Sequence, residues 1–277
     1  MSGILLVTSK IQESPSGGRE LLSKLNRDVL KDLYGDNLVV VEVQRKSLRG
    51  ILATANAFKG YIDGLDAEAC AMMCSFIHSR KIEKVILDGS GYGQLAKKLA
   101  NLFPRVNVIV FFHNVEARFF WGAFKQLKTF HSLGVLAVNY LAERKSVRYA
   151  HKIICLSSRD SRLLLALYGR EASYVSAMAV QDSLLPQTGL SPELPAQKYL
   201  LFVGGSFYAN RHGIAWFVHN VVPSISIKTV VIGKGLEDMK QSLEIYGDVM
   251  VVGAVDNLAA WYRNALAVVA PIFDGSG

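Results

Sequence analysis

The sequence predicts an α/β protein built as two parallel-sheet units, and three observations carry that reading. The chain has 277 residues, 51% of them hydrophobic and 19% charged, with 7 Pro and 23 Gly, a balance that excludes disorder, collagen and a disulfide scaffold. Short β-branched runs alternate with longer helical patterns from one end to the other, as parallel sheets with crossover helices require. One Pro-, Gly- and Ser-rich lapse, residues 181–197, interrupts the alternation and divides the chain into residues 1–180 and 198–277.

In the first part, strands are expected at Ile4–Thr8, Leu38–Val43, Val85–Asp88, Val106–Phe112, Ile153–Leu156 and Tyr174–Val180. A helix is expected over Gly18–Tyr34, where Leu21, Leu22, Leu25, Val29, Leu30 and Leu33 recur at helical spacing and Gly35 supplies a stop. Ser157 and Ser158 offer an N-cap for a helix over Arg159–Tyr168, which Gly169 ends. One long helical region follows Arg118. In the second part, strands are expected at Tyr199–Val203, Thr229–Ile232, Val249–Val252 and Leu266–Ala270, with helices between them. The last strand runs into Pro271-Ile272-Phe273 and the glycine loop Asp274-Gly275-Ser276-Gly277, of the kind that opens a helix, and no helix follows. An incomplete second unit is therefore expected, with apolar surface exposed on Ile232, Val251 and Val269.

The three cysteines are an odd number, and Cys70 and Cys74 sit four apart on a helical stretch with their side chains parallel. Reduced thiols in a cytoplasmic protein are the reading. No apolar run is long enough to cross a bilayer, and Met1-Ser2-Gly3 leads directly into a strand without the pattern of a signal peptide. Charge is uneven. Residues 1–180 hold 25 Lys and Arg against 15 Asp and Glu, whereas residues 181–277 hold 6 against 8. A basic first unit suits an anionic surface such as a phospholipid or a phosphorylated substrate, and equally a solvated face that aids solubility. Nucleic acid is not expected, because no groove-reading motif organises the basic residues.

Glycine-rich turns after strands let backbone N–H groups approach a phosphate, or simply permit tight turns. They occur at Gly17-Gly18, beside Arg19, at Gly204-Gly205-Ser206 with Arg211 downstream, at Gly233-Lys234-Gly235, and at Asp274–Gly277. Two such turns in one short unit, near Arg211, favour a phosphate-bearing ligand. Asp88-Gly89-Ser90-Gly91-Tyr92-Gly93 fails the dinucleotide fingerprint, since its third Gly falls one position early. His113, Asn114 and Glu116 emerge after a buried strand, where α/β folds place chemistry and where a structural histidine is also at home. His and Cys show no metal-ligand spacing, and neither a nucleophile elbow nor a P-loop is present. Between residues 118 and 152, seven Lys or Arg face one acid, Glu143, among Phe119, Phe120, Trp121 and Phe124, a composition that suits core packing or an anionic membrane surface.

Gly17-Gly18 after the first strand, FFHNVE at 111–116, LFVGGSFYANRHGIAWFVHNVVP at 201–223, VVIGKG at 230–235, VVGAVDNLAAWY at 251–262 and VAPIFDGSG at 269–277 together resemble the retaining glycosyltransferases of family four. The resemblance implies the GT-B architecture, two Rossmann-like doubly wound domains facing a cleft, here with the second incomplete. It implies transfer of a hexosyl group from a nucleotide-sugar to a surface glycan or lipid-linked saccharide, with retention, in polysaccharide biosynthesis; the basic charge of the first unit adds the expectation of a cytoplasmic protein peripheral on the inner face of the plasma membrane. No cofactor and no metal are implied. Gly17 and Gly18 would lie near the transferring sugar and diphosphate, with Arg19, Asn114 and Glu116 on the acceptor side and His113 facing the donor sugar. Gly204, Gly205 and Ser206 would approach the diphosphate, joined by Arg211, Gly233 and Lys234. Gly253, Ala254 and Val255 would hold the nucleobase, and Asp274, Gly275, Ser276 and Gly277 would begin the loop around sugar and phosphate.

The chain departs from the family in two places. Gly205, and not an arginine, follows the first glycine of the second unit, and no paired-glutamate helix motif follows the final loop. A 277-residue chain of little or no activity is the expectation. A non-catalytic nucleotide-sugar-binding or assembly subunit and a sugar-nucleotide epimerase of the same architecture are the alternatives.

Overall fold

The computed structural model describes residues 3–13, 17–44, 50–179 and 194–273, which fall into two compact units divided between residues 179 and 194. The first unit runs β1 (Gly3–Ser9), α1 (Gly18–Tyr34), β2 (Leu38–Val43), α2 (Ile51–Lys59), α3 (Ala67–Ser79), β3 (Ile82–Asp88), α4 (Gly93–Leu102), β4 (Asn107–Phe112), α5 (Glu116–Leu127), α6 (Phe130–Tyr149), β5 (Lys152–Cys155), α7 (Ser158–Tyr168) and β6 (Tyr174–Val175). Its six strands form one parallel sheet in the order β2-β1-β3-β4-β5-β6. The chain therefore winds outward from β1 to β2, then reverses through β3, and the crevice of the reversal opens at the carboxyl ends of β1 and β3.

Alternation along the strands sorts the two faces. Leu5, Val7, Val85, Leu87, Val108, Val110 and Ile153 face one way and bury against Met73 and Ile77 of α3, Leu95 and Leu99 of α4, Val147 of α6 and Leu164 of α7. Helix α1 packs on the other face, where Leu22 and Ser23 are buried. Its boundaries are those the glycines signal: Gly17 stands at the N-cap and Gly35, at φ 50°, turns the chain back onto the Lys31 carbonyl. Its apolar stripe is only partly covered, for Val29 and Leu33 remain exposed. Four helices cover the opposite face, whereas α1 packs on β1 and β2 on this one.

Most elements fall where the spacing places them, and the differences have local causes. Ser157 caps α7 by accepting from the Asp160 N–H at 3.1 Å, and Gly169 ends it in a left-handed turn. The long region after Arg118 divides, because Lys128 adopts φ 50° and Thr129 opens a new helix with a capping box to Ser132. β3 starts at Ile82, three residues before the expected Val85, with charged Glu83 and Lys84 on the sheet. β6 is two residues long, not seven. Its neighbour β5 ends at Cys155, so nothing continues the ladder after the Ser176 N–H reaches the Cys155 carbonyl. The expected strand's last residue, Val180, lies outside the described residues. All three cysteines are free, and burial pushes the Cys70 thiol up to about 11.

The second unit runs β7 (Tyr199–Val203), α8 (Tyr208–Asn220), β8 (Thr229–Ile232), α9 (Lys240–Leu243), β9 (Val249–Gly253), α10 (Leu258–Asn264) and β10 (Ala265–Val268). Its parallel sheet has the order β10-β7-β8-β9, with the reversal between β7 and β10. Phe202, Val231 and Val251 pack with Ile214 and Val218 of α8 and Leu243 of α9 on one face. Tyr199, Leu201, Val230 and Ile232 pack with Trp261 of α10 on the other. This corrects the expected exposure: Ile232 and Val251 are buried and Val269 is half-buried, because helices already cover both faces of the central strands. The exposed apolar surface lies instead on the edge strand β10, where Leu266 is 59% and Val268 52% exposed.

Trp261 is fully buried, and its carbonyl accepts the Tyr199 hydroxyl at 2.8 Å. Replacing it with alanine removes most of the packing on that face, so Trp261→Ala is expected to cost about 3–5 kcal/mol. Trp216→Ala, at a half-exposed position, should cost less than about 1 kcal/mol. Urea unfolding of the two variants checks the difference.

Candidate functional site

The reversal of the first sheet gathers polar groups at one place. Asp88, the last residue of β3, is buried and accepts the Thr8 hydroxyl of β1 at 2.8 Å on Oδ2 and the Asn26 amide of α1 at 3.1 Å on Oδ1. His113, the first residue after β4, brings its Nε2 to 3.1 Å from Asp88 Oδ1. Burial pushes the Asp88 carboxyl up, but the close His113 ring, Ser23 and Asn26 outweigh it and hold it at about 2. The imidazole packs edge-on against Phe111, with ring centroids 5.3 Å apart. His113 Nδ1 and Asn114 Oδ1 are buried without a hydrogen-bond partner, which leaves each able to meet a ligand group.

Arg19 extends from the first turn of α1 across this end of the sheet. Its guanidinium lies 3.5 Å from Asp63 Oδ2 and 3.9 Å from Glu116 Oε1. It also lies against Gly89, where an added Cβ would stand 3.4 Å from Nη2. Burial draws its pKa down, and the charges of Asp63 and Glu116 raise it above the ordinary arginine value. Gly17 and Gly18 open α1 with no neighbour within 4 Å of an added Cβ and no side-chain cap, so the first N–H groups of the helix face a clear approach. Ser9, Lys10, Arg19, Glu20 and Val43 line a cavity of about 270 Å³ beside them.

Two contributors were not visible as site residues in the sequence. Asp63 belongs to a turn before α3 and has φ 53°. The Asp-Gly pair at 63–64 was its one local signal. Glu143, buried on α6, accepts the Glu116 N–H at 2.9 Å, the Ala117 N–H at 3.1 Å and the Tyr168 hydroxyl at 2.6 Å. It thus supplies the N-terminal cap of α5 that Val115 cannot, and fixes the turn carrying His113, Asn114 and Glu116. Burial raises the Glu143 pKa, and the Tyr168 and backbone hydrogen bonds only partly offset it.

In the second unit, every described residue singled out from the sequence lies at or just beyond the carboxyl edge of the sheet. Gly204-Gly205-Ser206 follow β7, Gly233-Lys234-Gly235 follow β8, and Gly253-Ala254-Val255 close β9. The turns are tied together. An added Cβ on Gly233 would stand 1.7 Å from the Gly204 carbonyl oxygen, so only glycine permits that approach. Gly253 has φ 83° and lies against Glu237, whose carboxylate accepts the Ala254 N–H at 3.2 Å. Asn210 donates to the Gly205 carbonyl at 2.9 Å. Arg211 sits in the first turn of α8 but donates to Asp238, at 2.7 and 2.9 Å, and Lys234 is exposed. Asp274, Gly275, Ser276 and Gly277 lie outside the described residues, as do residues 181–193 of the expected linker.

Residues 197–277 match the model of the family described as "Glycosyl transferases group 1". No curated protein matches the chain by sequence. Among solved structures, the chain is similar to sucrose-phosphate synthase from Thermosynechococcus elongatus, with a TM-score of 0.68 and 15% identity over 99% of this chain and 76% of that one. It is also similar to the catalytic domain of starch synthase IV from Arabidopsis thaliana, bound to ADP and acarbose, with a TM-score of 0.58 and 10% identity over 98% and 78% of the two chains. A glycosyltransferase from Rickettsia africae ESF-5 gives a TM-score of 0.55 and 11% identity over 99% and 74%. At these identities the likeness is one of fold, the Rossmann-like α/β fold of GT-B enzymes.

The Asp88 network has a pH signature. A carboxyl held at about 2, below its ordinary 3.8, contributes stability that is complete above about pH 4 and is lost as pH falls toward 2. The contribution is on the order of 2 kcal/mol. Urea midpoints measured from pH 5 to 2 should fall less steeply for Asp88→Asn than for the native chain.

Proposed function

We propose that the chain carries the donor and acceptor elements of a transferase that moves a hexosyl group from a nucleotide-sugar to a surface glycan or lipid-linked saccharide, with retention at the anomeric carbon, and that the 277 residues alone have little or no transfer activity. The observation that carries this reading is the carboxyl edge of the second sheet, where the turns at 204–206, 233–235 and 253–255 stand together inside the segment that matches the group 1 glycosyl transferases. Such an edge suits a nucleoside diphosphate. The opened turn at Gly204-Gly205-Ser206 leads into α8, whose N-terminal N–H groups favour an anion.

Departure of the nucleoside diphosphate from the anomeric carbon leaves negative charge on the leaving oxygens. In this reading that charge is met by the backbone N–H dipoles of the 204–206 turn and by the Lys234 ammonium, and no metal takes part. Arg211 reaches the diphosphate only by sharing or leaving its pair with Asp238. Gly253, Ala254 and Val255 hold the nucleobase through backbone groups. On the first unit, Gly17 and Gly18 receive the sugar end, Arg19, Asn114 and Glu116 orient the acceptor, and His113 presents Nδ1 to a sugar hydroxyl while Asp88 holds the other side of the ring. Support for the sugar-transfer chemistry comes from the family match and the fold; retention, hexosyl donor and acceptor class come from the sequence resemblance.

Calorimetry of the 277-residue chain with UDP-, GDP- and dTDP-sugars tests the reading, and binding of one of them is expected. Gly205 has no neighbour within 4 Å of an added Cβ. Gly205→Ala should therefore hold stability within about 0.5 kcal/mol while the new methyl obstructs the phosphate and weakens donor binding about tenfold or more. Failure to bind all three donors, or undiminished binding by Gly205→Ala, would count against it.

A further inference from the structure

The carboxyl edge of the first sheet is short of hydrogen-bond donors. His113 is 9% exposed, and its Nε2 stands 3.1 Å from Asp88 Oδ1, on a carboxylate that the Thr8 hydroxyl and the Asn26 amide also approach. A bare ring nitrogen there would set its lone pair against that of an ionised oxygen, so Nε2 carries the proton and Nδ1 of the neutral ring is an acceptor. Nδ1 and Asn114 Oδ1 are both buried without a partner. A buried acceptor left unmet is costly, and the group that relieves it must bring a proton of its own.

Arg19, which reaches the same edge, is already engaged by Asp63 at 3.5 Å and Glu116 at 3.9 Å. Counting Asp88, this corner holds three carboxylates to one guanidinium among the described residues. That reverses the charge of the unit around it, in which Lys and Arg outnumber Asp and Glu. Asp63 is held in place by its surroundings: it keeps a left-handed φ of 53°, and its carboxylate lies so close to Gly91 that an added Cβ there would stand 2.5 Å from Oδ2.

We propose that this corner selects an uncharged saccharide and that Asp63 is the positioning residue that sets the selection. By holding Arg19 it leaves the edge with unmet acceptors and an excess of negative charge. A hydroxyl, which donates to His113 Nδ1 or Asn114 Oδ1, is taken; a phosphate or carboxylate on the same sugar brings only acceptors and a like charge, and is refused. This selection deepens the sugar-transfer reading and rests on it for the presence of a saccharide at the edge.

The His113 ring nitrogens are followed by NMR in the 277-residue chain at about pH 8, above the ordinary histidine range, with their signals identified by their loss in His113→Gln. A protonated Nε2 and a bare Nδ1 are expected. Methyl glycosides of glucose, galactose and mannose are then titrated in, beside the matching hexuronides and 6-phosphates. At least one neutral glycoside should shift the Nδ1 signal, and its charged counterparts should bind about tenfold or more weakly, as like charges at a half-exposed site require. Asp63→Asn keeps a side chain at home in a left-handed turn, and should reduce that ratio about threefold or more by freeing Arg19 and removing a charge. Glu83→Gln removes an equal charge at an exposed position near the amino end of β3, and should leave the ratio unchanged. A protonated Nδ1, no shift with any neutral glycoside, charged counterparts bound as tightly, or a ratio unmoved by Asp63→Asn would each overturn the proposal. These probes carry no nucleotide, so such a failure is distinct from a failure of donor binding in the calorimetry, which bears on the sugar-transfer reading itself.

Discussion

A parallel strand can be followed by its neighbour only after a crossover, and this constraint governs both units. Each crossover starts from the carboxyl end of a strand, so each sheet delivers its outgoing loops to one edge. In the first unit that edge receives Gly17, Arg19, Gly89, His113 and Glu116; in the second it receives the turns after Val203, Ile232 and Gly253. Residues far apart in sequence become neighbours because the strands that carry them are neighbours. Where the winding reverses, between β1 and β3 and between β7 and β10, adjacent loops diverge to opposite sides and leave room for a ligand.

Two buried carboxylates hold the first unit's edge in place by different means. Asp88 is kept ionised by the groups around it and links β1, α1, β3 and the residue after β4 through Thr8, Asn26 and His113. Glu143 is satisfied by two backbone N–H groups and a tyrosine hydroxyl, and so anchors the start of α5 to α6 and α7. Removing either would leave several buried donors unsatisfied, which costs more than the hydrogen bonds themselves contribute.

Legibility in the sequence follows the range of the interactions involved. Helix α1 could be read to the residue because its limits are glycines, and α7 because Ser157 and Gly169 are local signals. The inner strands were visible as β-branched runs. Lys128 in a left-handed turn carries no such signal, and β6 is short only because β5 ends beside it. At the edges of the sheets, the glycines and His113 could be found from their place after strands. Glu143 could not be assigned a role, since its partners lie 25 to 27 residues away. Arg211 was read as an available cation, but its partner Asp238, 27 residues on, reaches it only once β8 and the following turn are in place.

The close approach of Gly204 and Gly233 has a mechanical consequence. The Gly204 carbonyl occupies the space a side chain on Gly233 would need, the Gly204 N–H bonds to the Ile232 carbonyl at 3.0 Å, and the Gly233 N–H bonds to the Gly253 carbonyl at 2.8 Å. Main chain rests on main chain across three successive loops, with no rotatable side chain between them to absorb a shift. A push on the first turn is therefore transmitted to the second and third as rigid displacement. The compliance of this edge is a collective property of the three loops, set by the sheet beneath them and not by the flexibility that the glycine content of any one loop would suggest.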